Sequence, residues 1–184
     1  MEKKVKNLEL ELDDFNKMIA DEKLDQAKDT LAKKAEELKA HEDNLKNLED
    51  GIADLKKKIA DKEGLITNPA HKKALDDLKN KLADLERKAK DMRGKKDKLQ
   101  KEHDDLQKKV QDAEGNPDSL TLDDVLNLDK DINKLNNDSD DLKNDIKDGQ
   151  DELKKLNNDF NKLQNRINGD KRYEAQRKLK QAGN

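Results

Sequence analysis

Residues 75–113, LDDLKNKLADLERKAKDMRGKKDKLQKEHDDLQKKVQDA, repeat an apolar side chain at alternating steps of three and four residues. The spacing runs from Leu75 to Ala113 without a slip, and only Lys96 and His103 interrupt it with polar side chains. Such spacing places these residues in one stripe along an α-helix, which is typical of helices that pack along a shared seam. Because the remaining positions are strongly charged, this helix must pack on other helices to be stable.

Two further segments carry the same spacing. Residues 125–167 repeat it in a single register, whereas the first segment of the chain holds two registers. The phase changes between Ile19 and Leu24, which predicts a kink or a change of packing partner there. Gly169 marks a break near the end of the third segment. The periodicity therefore predicts helices over residues 3–63, 70–114 and 121–168, and a short helical piece over residues 171–181.

These helices predict an all-α fold, an elongated, left-handed, antiparallel three-helix coiled-coil bundle. A repeat of 3.5 residues imposes a left-handed supercoil, and short connections make successive helices antiparallel neighbours. The predicted helix–helix seam on the second and third helices consists of Leu75, Leu78, Leu82, Leu85, Met92, Leu99, Leu106, Val110, Leu128, Ile132, Leu135, Leu142, Ile146, Leu153, Leu156 and Phe160.

The stretch EGNPDSLTLDDV, residues 114–125, has the features of a corner between two helices. Gly115 can end the second helix in the left-handed conformation, and Thr121 can cap the start of the third. Asp124, three residues after Thr121, completes the acidic form of a capping box. Asn68 and Pro69 form an equivalent start signal for the second helix. The acidic residues of this stretch are therefore explained by helix ends without a ligand.

Charged residues that flank the seam predict how the second and third helices align. Folding back through the corner sets lysines of the second helix against carboxylates of the third, and it sets Leu82 against Gly149. Such exposed pairs stabilise by only a few tenths of a kcal/mol each, so they specify register more than stability. The predicted pairs are Lys109–Asp124, Lys95–Asp138, Lys88–Asp145, Lys81–Glu152 and the like-charged Glu102–Asp131.

The first twenty residues carry an apolar stripe that the bundle leaves without a partner. Residues 24–63 already match the length of the second helix, so residues 1–20 are expected to project beyond it. An exposed apolar stripe predicts an interaction surface, and a second copy of the chain is the simplest partner. The predicted self-association residues are Val5, Leu8, Leu12, Phe15 and Ile19.

The composition narrows the class of protein. The chain is 46% charged and 30% hydrophobic, which fits long thin helices better than a globular core. Its 41 basic and 44 acidic residues are interleaved, which argues against nucleic-acid binding. There is no cysteine for disulfides, no apolar run long enough to span a membrane, and no apolar run of a signal peptide near Met1. The charged helical sequence at both ends suggests a piece of a longer protein.

No residue pattern predicts an enzyme, a cofactor or a metal site. The three histidines, His41, His71 and His103, share no metal-ligand spacing, and two of them fall on seam positions. Residues 129–141 resemble a calcium loop in composition but lack its glycine and its final glutamate. Phosphate-binding glycine loops and nucleophile–base sets are absent from the sequence. The polar positions of the seam are therefore interpreted as residues that set the helix register.

Three segments resemble the spectrin-repeat family, and in particular the rods of α-actinins. LAKKAEELKAHEDNLKNLEDGIADL (31–55) resembles the second helix of a spectrin repeat, and ITNPAHKKALDDLKNKLADLERKAKDM (66–92) resembles the following loop and third helix. NPDSLTLDDVLNLDKDINKL (116–135) resembles the entry into the next helix, and the richness in Lys, Asn and Asp resembles proteins of amoeboid protists. The usual Trp of the first helix is missing, which leaves one long bundle or two incomplete tandem repeats; the single bundle is favoured.

The resemblance implies a structural function. A rod of this family forms an antiparallel homodimer in the cytoskeleton of the cytoplasm, and it sets the distance between actin-binding heads that lie outside this chain. Two alternatives remain at this stage. A BAR-like membrane-binding helical dimer needs a basic face, which the interleaved charges do not provide. A coiled-coil stalk or adaptor that docks the helix of another protein is equally compatible with the unpartnered stripe.

Overall fold

The computed structural model describes residues 1–183 and is built from long α-helices. No strand occurs within those residues, which confirms the predicted all-α class and is consistent with a three-helix bundle. The elements are α1 (Glu2–Glu63), α2 (Pro69–Gly115), a short 3₁₀ turn (Pro117–Ser119) and α3 (Leu122–Ala182).

The third helix is longer than predicted. α3 continues through Gly169 to Ala182, so the expected break and the separate piece over residues 171–181 are wrong. A single glycine inside a helix costs only about 1 kcal/mol relative to alanine. No proline follows Gly169 to block the helix, and the residues after it are mostly good helix formers.

The predicted helix starts are confirmed by hydrogen bonds. The Asn68 side-chain oxygen accepts a hydrogen bond of 3.0 Å from the backbone N–H of Ala70. At the start of α3, the Asp124 N–H donates to Thr121 Oγ1 at 3.1 Å, and the Thr121 N–H donates to Asp124 Oδ2 at 3.2 Å. This reciprocal pair is a capping box, which satisfies amide groups that the helix itself leaves without acceptors.

The end of α2 differs from the prediction. Gly115 is the last residue of the helix, and no glycine among the described residues has a positive φ, so the left-handed stop is wrong. Instead the Asn116 N–H donates to the Ala113 carbonyl at 3.3 Å, and the Ser119 N–H donates to the Asn116 carbonyl at 3.2 Å. The first of these tighter bonds satisfies the Ala113 carbonyl at the end of α2, and the second belongs to the 3₁₀ turn that follows.

The chain divides into two compact units, and each unit takes a part of all three helices. Unit 1 comprises Met1–Glu42 and Gly94–Asn144, and unit 2 comprises Asp43–Arg93 and Asp145–Asn184. In each unit the apolar stripes of the helices form the core, for example Leu38 and Leu142 in unit 1 and Leu55 and Leu85 in unit 2. Burial of each such side chain stabilises the fold by about 1.5–3 kcal/mol.

α1 is one continuous helix of 62 residues, about 93 Å along its axis. It is unbroken between Ile19 and Leu24, where the apolar register shifts. The shift coincides with the start of burial, because Ala20 is the first buried residue of the helix. The change of register therefore marks the point where α1 begins to pack within unit 1.

The predicted charge pairing of α2 with α3 is wrong by one heptad. Lys88 pairs with Glu152 at 3.3 Å rather than with Asp145, and Lys109 lies 3.9 Å from Asp131 rather than beside Asp124. Asp124 is engaged in the capping box, and the 3₁₀ turn adds length to the corner. Both features move the facing residues of α3 seven positions further along the chain.

Candidate functional site

The predicted seam residues lie in the cores of the two units. All of them are buried except Leu153, which is half-buried. Leu153 instead packs over Gly51 of α1, where a side-chain carbon on the glycine would lie 2.6 Å from Leu153 Cδ2. Gly51 was not identified from the sequence, because its contact becomes evident only when α1 and α3 are aligned.

The predicted self-association stripe lies at the surface of α1. Val5, Leu8, Leu12 and Phe15 are 51%, 64%, 58% and 57% exposed, and Ile19 is half-buried. All five positions share one face of the helix by their spacing of three and four residues. Monomeric proteins seldom expose a contiguous apolar surface of this kind.

Two further exposed apolar side chains in the same segment of α1 were missed. Met18 is 69% exposed and lies at the edge of the stripe, whereas Leu10 is 62% exposed and lies on the opposite side of α1. Leu10 falls outside the heptad spacing, so the periodicity gave no signal for it. It provides a comparison residue of equal exposure that is not part of the stripe.

The core of unit 1 contains a polar cluster. His41 of α1 and Ser139 of α3 are 4% and 1% exposed, and His41 Nε2 lies 3.0 Å from Ser139 Oγ. His103 of α2, 3% exposed, donates from Nε2 to the Leu31 carbonyl of α1 at 2.7 Å. Burial lowers the pKa of His41, because the charged imidazolium loses its water.

A partly buried ion pair adjoins this cluster. Lys96 is the other polar position of the α2 seam, and its Nζ lies 2.9 Å from Glu42 Oε2 of α1. The Lys96 side chain is only 13% exposed, so its aliphatic part packs in the seam while the ammonium reaches the carboxylate. Both polar seam residues of α2, Lys96 and His103, thus bind a polar group of α1.

The core of unit 2 has a glycine, Gly149, on its seam, whereas the core of unit 1 has polar residues. A side-chain carbon at Gly149 would lie 2.9 Å from Leu48 Cδ2, 3.2 Å from Met92 Cε and 3.7 Å from Leu85 Cδ1. The sequence predicted Leu82 opposite this glycine, and the shift of one heptad brings Leu85 and Met92 there instead. Two ion pairs between α1 and α2 flank the core, Arg93–Glu49 at 2.9 Å and Lys56–Glu86 at 3.1 Å.

The third histidine lies at the end of unit 2. His71 Nδ1 is 3.1 Å from Asp170 Oδ2, and the Asn68 side-chain amide donates to the same oxygen at 3.3 Å. Exposed Tyr173 and Leu65 line the groove beside them. Residues 1–183 contain no group of three or more His, Cys, Asp or Glu side chains close enough together to hold a metal ion.

No helix in the described part of the chain is long and apolar enough to cross a membrane. The buried seam and the exposed N-terminal stripe are both apolar surfaces of the kind that pack against other helices. Comparison with protein-family models, with curated proteins and with solved structures finds no match to this chain.

Proposed function

We propose that this chain is a structural spacer and dimerisation rod, of the spectrin-repeat kind, in an actin-crosslinking protein of the cytoskeleton. The observation that carries the structural part is the contrast between a seam buried along all three helices and an apolar stripe exposed at Val5–Ile19. The buried seam supports a stiff spacer, because bending it disrupts close packing. The resemblance of residues 31–55, 66–92 and 116–135 to spectrin repeats supports the actin-crosslinking part.

The proposed bundle is left-handed, with α2 antiparallel to α1 and to α3. Contacts within unit 2 support these helix directions. Along the contacts, residue numbers increase on α1 while they decrease on α2, and they increase together on α1 and α3. The 3.5-residue period supports the left hand of the supercoil. The supporting contacts are Glu49–Arg93 and Lys56–Glu86 between α1 and α2, and Leu48–Gly149 and Gly51–Leu153 between α1 and α3.

The stripe on α1 is proposed to bind the same stripe of a second copy, in an antiparallel homodimer. Each stripe side chain is about half exposed, so its burial adds about 1 kcal/mol, or about 10 kcal/mol over both copies. The loss of rigid-body freedom on association costs about 4–15 kcal/mol. The difference favours association by at most about 6 kcal/mol, so we expect a weak dimer with a dissociation constant of roughly tens of micromolar or above rather than an obligate one.

Sedimentation equilibrium tests this dimer. The wild-type chain is expected to dimerise at roughly tens to hundreds of micromolar, and Leu12→Glu is expected to remain monomeric because it places a charge in the stripe. Leu10→Glu is the matched control, since Leu10 is equally exposed on the opposite side of α1 and should leave the dimer intact. A wild-type monomer throughout this range contradicts the proposal, and so does equal loss of dimer in both variants.

Spin labels test the orientation. The chain has no cysteine, so Lys4→Cys gives a single labelling site beside the stripe. If two antiparallel helices overlap over residues 5–19, the two labels are at least about 24 Å apart along the axis. A parallel pair places them about 10 Å apart, the distance between packed helices. A short distance therefore contradicts the antiparallel arrangement but leaves the dimer itself in place.

The actin part has a separate test. The filament-binding heads are proposed to lie outside residues 1–184, so this chain alone is not expected to sediment with actin filaments. Direct binding of the chain to filaments contradicts that division of roles. An adaptor that docks the helix of another protein is the second candidate, because the same exposed stripe can accept a foreign amphipathic helix. A monomeric wild-type chain that loses a heterologous partner on Leu12→Glu favours the adaptor.

A further inference from the structure

The buried polar side chains are confined to one unit. Among the described residues they are His41, His103 and Ser139, and all three belong to unit 1. The core of unit 2, in contrast, is formed by aliphatic and aromatic side chains and Gly149. Any effect of mild acid on a buried imidazole is therefore expected in unit 1 and not in unit 2.

His41 is poorly placed to carry a positive charge. Its Nε2 has Ser139 Oγ as a neutral partner at 3.0 Å, and the hydrogen bond with Ser139 favours the charged ring less than burial disfavours it. On its own helix, Glu37 favours the charged ring, but that carboxylate already binds Lys34 Nζ at 2.6 Å. The ammonium groups of Lys34 on α1 and Lys143 on α3 both oppose a charge on His41.

The charged residues of α2 near His41 do not make a positive charge on its ring more favourable. Lys96 of α2 adds a further ammonium group, and it pairs at 2.9 Å with Glu42, the residue next to His41. His41 therefore lies in a buried site, and the two carboxylates near it, Glu37 and Glu42, are each paired with a lysine. Water, which stabilises an imidazolium in the unfolded chain, is largely excluded.

His103 provides an internal contrast. Its Nε2 donates to the Leu31 carbonyl, and its Nδ1 lies 3.4 Å from the exposed carboxylate of Asp104. Each ring nitrogen of His103 thus faces an acceptor, and one of these acceptors is a carboxylate. His41 has only the neutral Ser139 hydroxyl at Nε2, so the two buried imidazoles differ in the charge of their partners.

We propose that His41 makes unit 1 the acid-sensitive part of the bundle, in which protonation of the buried imidazole loosens the packing of α1 against α3. The proposal does not depend on the dimer or on the spacer function. It describes a switch within the fold: acid loosens the packing of unit 1 and leaves unit 2 folded, as expected for units that can open separately.

The direction of the pH effect follows from linkage. Burial lowers the pKa of His41 in the folded state below its ordinary value of 6.5. The unfolded chain therefore binds the proton first as the pH falls through that value, and stability is lost on the acid side. One proton of difference changes the unfolding equilibrium of unit 1 by up to about tenfold per pH unit. Carboxylates begin to titrate only below about pH 5, so the window between is specific to histidine.

Hydrogen exchange measured by mass spectrometry at about pH 7.5 and about pH 5.5, corrected for intrinsic rates, tests the proposal. Protection of residues 31–42 and 132–144 is expected to fall by about tenfold per pH unit at most, while that of residues 52–59 and 153–163 stays constant. His41→Leu should abolish the loss, and His103→Gln should retain it even if it lowers stability overall. Equal loss in both units, or an unchanged loss in His41→Leu, overturns the proposal.

A second measurement applies if His41→Leu does not fold. The ring resonances of His41 in the wild-type protein can be titrated by NMR. The proposal requires His41 to stay neutral below its ordinary pKa until unit 1 opens. Titration of the folded ring at or above the ordinary value overturns it.

Discussion

Replacing Gly149 with alanine adds one methyl group at a glycine that faces three buried side chains. The added carbon would lie 2.9 Å from Leu48 Cδ2 and 3.2 Å from Met92 Cε, both closer than an ordinary contact. Leu48 is 1% exposed, so it is enclosed by the core and cannot turn outward into solvent. The substitution therefore has two opposing effects on stability. Alanine is a better helix former than glycine, but its methyl group overpacks the core.

The two effects differ in size. Exchange of glycine for alanine inside a helix stabilises it by about 1 kcal/mol. Overpacking of a well-packed core costs about 1–3 kcal/mol. Gly149→Ala is therefore expected to lower the free energy of unfolding by up to about 2 kcal/mol.

Other glycines in the helices give a graded series of controls. No atom lies within 4 Å of a side-chain carbon at Gly94, so Gly94→Ala should gain about 1 kcal/mol without opposition. Gly51→Ala meets Leu153 Cδ2 at 2.6 Å, but Leu153 is half-buried and can rotate away. We expect the order of stability to be Gly94→Ala, then Gly51→Ala, then Gly149→Ala.

Urea unfolding followed by helical circular dichroism measures the series. The variants should share the slope of free energy against urea, so that a change in midpoint reports stability. Hydrogen exchange assigns each effect to unit 1 or unit 2, because the two units need not unfold together. A gain for Gly149→Ala as large as that for Gly94→Ala refutes the close approach of α1, α2 and α3 at this glycine.

Three further substitutions test particular contacts. Leu85→Ala should cost about 2–5 kcal/mol, because Leu85 is 0% exposed and leaves a cavity; a loss under 1 kcal/mol in urea unfolding contradicts its place in the core. Thr121→Ala should cost about 1 kcal/mol and increase amide exchange in the first turn of α3, and unchanged exchange there argues against the capping box. Ser139→Ala should cost about 1–3 kcal/mol near neutral pH by leaving His41 Nε2 without its partner; an unchanged thermal midpoint rules out that hydrogen bond.

Burial along each helix could be predicted from the sequence because it depends only on the helical period. Leu75 and Phe160 lie on stripes that the spacing of three and four residues defines without any knowledge of the partner helix. The exposed Leu8 of the N-terminal stripe follows from the same spacing together with the length of α2. Local capping at Thr121 was equally accessible, because it involves residues only three positions apart.

The alignment between helices could not be predicted in the same way. Charges along α2 and α3 fit the predicted and the observed register about equally, because Glu102 faces an aspartate in both, Asp131 in the first and Asp138 after the shift of one heptad. Each exposed pair stabilises by only a few tenths of a kcal/mol, so the capping box and the 3₁₀ turn at the corner determine the outcome. Contacts that depend on this alignment, such as Leu153 over Gly51, were missed for the same reason.

The non-leucine positions of the seam account for a single register in unit 1. Leucine stripes alone pack almost as well after a slip of one heptad, since one leucine replaces another. A slip of α3 by seven residues would set Ile132 or Ile146 against His41 in place of Ser139. Either isoleucine would leave the buried imidazole nitrogen without a hydrogen-bond partner, at a cost of about 1–3 kcal/mol.

Gly149 excludes the same slip in unit 2 by a different mechanism. After a shift of seven residues, Leu142 or Leu156 would occupy the position where Leu48 and Met92 now close over a glycine. A methyl group already approaches Leu48 too closely, so a leucine there would force the helices apart. Each unit thus carries its own obstacle to slippage, a polar pair in one and a missing side chain in the other. The spacer function proposed above requires a fixed register, and within each unit that register follows from these exceptions to the leucine pattern more than from the leucines themselves.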